Sequence, residues 1–137
     1  MNIKKIAVIG VGTIGCGWAT FFAMKGLNVS LFDTQQSTLE SAISRIKDNL
    51  TFLAESNYLT QDESCSAFLR IQICRSLSEA LSDADFVQES IIENYEAKKA
   101  LYAEMDRLAL PNVILSSSSS GLLMSEIQTA AFIHPER

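Results

Sequence analysis

Short apolar runs and helical-period stripes alternate along this chain. "KKIAVI", Lys4 to Ile9, is a β-branched apolar run cut off by Gly10, and it predicts a buried strand. In "IGCGWATFFAMK", Ile14 to Lys25, small and large apolar residues recur at helical spacing, with Gly26 as the stop. "NVSLF", Asn28 to Phe32, reads as a second strand ending at Asp33. Strand, glycine loop, helix, strand is one βαβ unit, whose crossover fits a parallel pair. From Asp33 to the next strand-like run, "IQIC" at Ile71 to Cys74, the chain is too long for one crossover helix. Leu39, Ile43, Ile46, Leu50, Leu53 and Asn57 trace one face of a helix from about Gln36 to Asn57. Thr60 to Glu63 has the capping-box pattern of a second helix, running to about Leu69. A helical hairpin after the second strand is expected; one long helix with a frayed end is disfavoured by the break at "NYLT".

Past Cys74 the pattern predicts a short helix over Leu77 to Leu81 and a strand "DFVQES". An amphipathic helix follows from about Asn94 to Leu110, with Lys98, Leu101, Tyr102, Met105 and Leu108 or Ala109 near one face, closed by Pro111. "NVILS" is a further strand, five serines (Ser116 to Ser120) follow it, and "LMSEIQTAA" opens a short helix. On composition the serines resemble a linker. Their place after a strand suggests instead a loop at the ligand-binding edge of a parallel sheet.

The 137 residues fit one domain, and 47% apolar content suffices for a core. A net charge of −5 speaks against binding nucleic acid or an anionic membrane, and no apolar run reaches bilayer-spanning length. The N-terminus is too short and too soon interrupted by glycines for a secretory signal. Three cysteines without metal-ligand spacing fit a reduced, cytoplasmic protein with no metal site. His134 is the one histidine.

Gly10, Gly12 and Gly15 form a G-x-G-x-x-G loop between a predicted strand and a predicted helix. The first permits the turn, the second a close approach to a pyrophosphate, and the third tight helix–strand packing. Thr13 and Ile14, at the helix start, are further cofactor contacts. Asp33 stands at the offset of the carboxylate that accepts from adenosine ribose hydroxyls. No arginine follows it, so NAD is favoured over NADP. The alternatives are that Asp33 closes a turn, or that the loop holds S-adenosylmethionine. Together these patterns predict an α/β, Rossmann-type doubly wound fold: a mainly parallel sheet with a helical hairpin inserted after the second strand.

Joined to "DFVQESIIENYEAKKALYAEMD" and "VILSSSSSGLLMSEI", this loop makes the chain resemble the 3-hydroxyacyl-CoA dehydrogenase family, over its N-terminal NAD-binding domain, from about Ile3 to Arg137. The resemblance implies oxidation of a 3-hydroxyl to a 3-keto group with hydride transfer to NAD. It puts Glu93, Lys98 and Ser118 beside the nicotinamide half of the cofactor, and Ser120 on the reacting oxygen of the substrate. From the residues alone, Glu93 is equally a carboxylate at a helix start, Lys98 a solvated lysine and Ser120 part of a serine turn.

The resemblance also implies that the catalytic histidine, the glutamate that orients it and a helical second domain that dimerises lie beyond Arg137. The 137 residues alone are then expected to be inactive, with some apolar surface exposed. His134 matches the "HPER" histidine rather than the base. The serine loop, Trp18 and "HPER" are similar to the carnitine and gulonate 3-dehydrogenase branches, and "ESIIEN" to the acyl-CoA branch. Asn49 and Ser56 stand where the acyl-CoA branch has a serine and a lysine for CoA. The substrate is thus an acyl-CoA or a small carnitine-like 3-hydroxy compound. A short non-catalytic NAD(H)-binding module is the other reading.

Overall fold

β1 (Lys5–Ile9) lies at the middle of a five-stranded sheet, and its Ile6 to Ile9 are all buried. A strand paired on both edges and covered on both faces must be apolar throughout, which explains "IAVI". The computed structural model describes residues 3–137. The elements follow as α1 (Thr13–Met24), β2 (Asn28–Phe32), α2 (Gln36–Glu55), α3 (Gln61–Phe68), β3 (Ile71–Ile73) and α4 (Leu77–Leu81). Then come β4 (Phe86–Glu89), α5 (Tyr95–Leu108), β5 (Ile114–Ser117), α6 (Met124–Ile127) and a 3₁₀ turn over Gln128–Ala130. The strand order is β3-β2-β1-β4-β5, and every pairing is parallel.

Side-chain alternation along β1 divides the core in two. Ile6 and Val8 face α1 and α2, packing with Ala19, Leu39, Ile46 and Leu50. Ala7 and Ile9 face the other side, with Leu81, Val87, Tyr102 and Met105 of α4, β4 and α5. From β1 the chain winds first to β2 and β3, then returns past β1 to β4 and β5. That reversal opens a crevice at the carboxyl ends of β1 and β4, where open α/β sheets take their ligands.

The helical hairpin is present. α3 opens with the full capping box: Thr60 Oγ1 accepts from the Glu63 amide at 3.1 Å and Glu63 Oε2 accepts from the Thr60 amide at 2.7 Å. α2 departs from expectation at its end. Its buried seam is Leu39, Ala42, Ile46, Leu50 and Ala54. Asn57 is exposed beyond the helix in a left-handed turn (φ +61°), because the chain must reverse there into α3. No described helix is long and apolar enough to cross a membrane. Among the described residues no cluster of metal ligands forms, and Cys16, Cys65 and Cys74 are free thiols.

Candidate functional site

The glycine loop joins β1 to α1 at the mouth of the crevice. Gly10 has φ +84°, and a Cβ there would come within 2.8 Å of Ser90 and Ile91 on the adjoining β4 loop. A Cβ on Gly15 would overlap the Gly10 carbonyl oxygen, so helix and loop pack backbone to backbone. Gly12 differs: a Cβ there meets nothing within 4 Å, and this residue caps α1 without any side-chain bond. Its open side and the uncapped first turn, with Thr13 and Ile14 exposed, leave backbone N–H groups free for an anion.

Asp33 follows β2 directly and is half-buried. Its Oδ2 accepts from the Val11 amide and its Oδ1 from the Gln35 amide, both at 3.0 Å. The carboxylate therefore closes a turn and braces the glycine loop at once, with lone pairs to spare for hydroxyl donors. A cavity of about 600 Å³ lies before it, lined by Gly10, Gly12, Asp33, Thr34, Ser90 and Ile91 among others. The charged residues of that lining are Asp33 and Glu104, so no lysine or arginine there would receive a 2′-phosphate. The volume, the uncapped helix start and the acidic lining fit NAD.

The second half of the site gathers on the loop after β5. Glu93, between β4 and α5, reaches across so that its Oε1 accepts from Ser119 Oγ at 2.6 Å and from the Ser120 and Gly121 amides at 3.1 Å. These bonds, the Ser119 hydroxyl foremost and the Gly121 amide next, pull its carboxyl down to about 2. Ser120 itself is exposed, its amide tied to Glu93. Ser118 Oγ is engaged within the protein: it meets Ser90 Oγ at 2.8 Å, Gln88 Nε2 at 3.0 Å and the Trp18 indole nitrogen at 3.2 Å.

Lys98 is neither solvated nor held first by Glu93. It is 1% exposed, and its ammonium donates to Glu89 Oε1 at 2.6 Å, with Glu93 Oε2 at 3.6 Å. Glu89, the first glutamate of "ESIIEN", is wholly buried, and spacing alone assigns it no role in the site. It also accepts from the Ile91 amide and from Ser117 Oγ, each at 2.6 Å. A signal for it existed. Helical period already put Lys98 on the buried face of α5, and a buried lysine needs a carboxylate nearby.

His134 belongs elsewhere. Its amide donates to Asp106 Oδ1 at 3.1 Å, and Arg137 Nη2 donates to the same oxygen at 3.0 Å. Asp106 stands about three turns, on the order of 16 Å, along α5 from Tyr95. The Arg137 carbonyl accepts from the Leu115 amide at 2.8 Å, on β5 ahead of the serines.

Residues 5–137 match the family model described as 3-hydroxyacyl-CoA dehydrogenase, NAD binding domain. The chain belongs to that family. It is 38% identical over 135 residues to the L-carnitine dehydrogenase of Oceanobacillus iheyensis, covering 98% of this chain and 42% of that one. It is 37% identical over 137 residues to the probable 3-hydroxybutyryl-CoA dehydrogenase of Bacillus subtilis, covering 100% and 47%. The lambda-crystallin homolog of Mus musculus is 38% identical over 123 residues, 89% of this chain and 39% of its own. Among solved structures, 3-hydroxybutyryl-CoA dehydrogenase from Escherichia coli superposes with a TM-score of 0.92 at 31% identity, over 99% of this chain and 28% of that one. The chain thus spans less than half the length of these relatives.

Proposed function

We propose that this chain supplies the cofactor-binding half of an NAD-dependent dehydrogenase that oxidises a 3-hydroxyl to a 3-keto group. Bound NAD accepts the hydride. The observation that carries this reading is that Asp33 braces the glycine loop before a cavity also lined by Ser90, Ile91 and Ile92 after β4, and Glu93, the next residue of that segment, braces the serine loop. In this reading Gly10, Gly12, Thr13, Ile14 and Gly15 hold the pyrophosphate and Asp33 the adenosine ribose. Glu93, Lys98 and Ser118 shape the nicotinamide end, and Ser120 bonds the substrate oxygen. Lys98 does so from beneath, through Glu93, because it is almost wholly covered.

The general base comes from outside these 137 residues, on a helical second domain that also makes a homodimer. Supporting this, the one histidine lies at the far end of α5. Exposed Leu123, Phe132 and Ile133 give such a domain an apolar surface to cover. The substrate is a small 3-hydroxy compound, an acyl-CoA thioester in the primary reading. Carnitine or L-gulonate is the alternative, favoured by Ser56, which leaves no positive charge where the acyl-CoA branch has a lysine for CoA; Asn49, at that branch's serine, donates instead to Thr20 Oγ1 at 3.1 Å. Three free thiols fit a cytoplasmic protein.

Titration of the chain with NADH and NADPH tests the cofactor assignment. NADH is expected to bind more tightly; no binding, or a preference for NADPH, overturns it. Assay with 3-hydroxybutyryl-CoA and with carnitine is expected to show no turnover by these 137 residues alone.

A further inference from the structure

Beneath the serine loop lies a carboxylate that the cofactor assignment does not use. Glu89 closes β4 and is wholly buried. Two of its partners lead onward to the loop. Lys98, bonded to Glu89 at 2.6 Å, stands 3.6 Å from Glu93 Oε2, and Glu93 Oε1 accepts from Ser119 Oγ and the Ser120 and Gly121 amides. Ser117 Oγ donates to Glu89 Oε2 at 2.6 Å and accepts from the Ser119 amide at 3.0 Å. Both routes from Glu89 end on the residues that carry the exposed Ser120.

A buried ion pair is a poor device for stability alone, since an apolar pair of equal volume often serves as well. What a charge adds is direction. Glu93 is partly exposed and has several free torsions; an ammonium against one of its oxygens keeps the other turned to the loop amides. We propose that Glu89 is a positioning residue for the serine loop, holding Lys98 against Glu93 and Ser117 against Ser119 without touching a ligand. The proposal rests on the reading that this loop faces the nicotinamide and the substrate.

The test uses Glu89→Gln and the double variant Glu89→Gln/Lys98→Met. Gln keeps acceptors for Ile91 and Lys98 but strands a buried cation, so the single variant melts lower; the double variant removes both charges and regains the loss. Amide exchange at Ser120 and Gly121, read by NMR, is expected to stay on the order of tenfold faster than wild type in the double variant, despite its recovered melting temperature. Exchange back within about twofold of wild type, alongside recovered melting, makes the pair merely structural and overturns the proposal. If the double variant does not fold, Ser117→Ala decides, because it cuts one route without touching a charge. Faster exchange at the Ser120 and Gly121 amides, which Ser117 does not bond, supports the role, and unchanged exchange there overturns it. NADH binding by the wild-type chain is measured separately: its absence counts against the cofactor reading, not against the loop result.

Discussion

The indole N–H of Trp18 donates to Ser118 Oγ across 3.2 Å, joining residues 100 positions apart. Trp18 is the only tryptophan, and it sits on α1, the helix whose start faces the crevice. Its emission therefore reports on both halves of the site. NADH binding is expected to quench it, because reduced nicotinamide absorbs where indole emits, and the quenching should saturate with the calorimetric dissociation constant. Trp18→Phe should remove the signal while leaving most of the affinity. Emission unmoved by saturating NADH would place the nicotinamide away from this serine.

Two glycines of one loop should respond oppositely to the same substitution. Gly10→Ala puts a Cβ at positive φ and against the Ile91 backbone, and should cost about 1–3 kcal/mol of stability. Gly12→Ala meets nothing in the protein, so its melting curve should match wild type. Its NADH affinity should nonetheless fall by about tenfold, since the methyl group enters the space assigned to the pyrophosphate. Thermal melts paired with NADH titrations check both.

Asp33→Asn keeps one oxygen for the Val11 amide but lacks the charge. It should weaken NADH by about 1–2 kcal/mol, roughly tenfold, and narrow the gap to NADPH, because no carboxylate then repels a 2′-phosphate. Parallel titrations with the two nucleotides measure this; an unchanged NADH/NADPH ratio would contradict the role assigned to Asp33.

The depressed carboxyl of Glu93 ties loop order to pH. A carboxyl whose folded value lies below its ordinary one stabilises the fold fully above the ordinary value, and that contribution fades as pH falls through the folded one. Here the window runs from about 4.5 down to about 2. Gly121 amide protection, followed by exchange between pH 6 and pH 2, should fall across that window. Glu93→Gln should flatten the profile.

Much of the fold was legible because its elements are local. The apolar run of β1, the capping box at Thr60 and the helical period of α5 each depend on residues a few positions apart, and each is present. Asn57 continues the helical period yet lies beyond α2 for the complementary reason: periodicity extends past a helix end that a tertiary turn imposes. The turn at Gly10 and the close packing at Gly15 are equally readable, since tight backbone approaches demand glycine at particular spacings.

The amino-acid sequence by itself determined the βαβ units, the hairpin after β2, the glycine loop and a lysine on the inner face of α5. Only the tertiary structure decided what that lysine meets. Its nearest carboxylate is Glu89, at the end of β4, rather than Glu93, and the serines that bond the two carboxylates come from the end of β5 and the loop after it. Such contacts arise from sheet order. β4 and β5 pair in parallel after a crossover through α5, which brings Glu89 beside Ser117 and closes Glu93 onto Ser119. No local spacing encodes that meeting; it follows from how buried charges find partners once the sheet is formed.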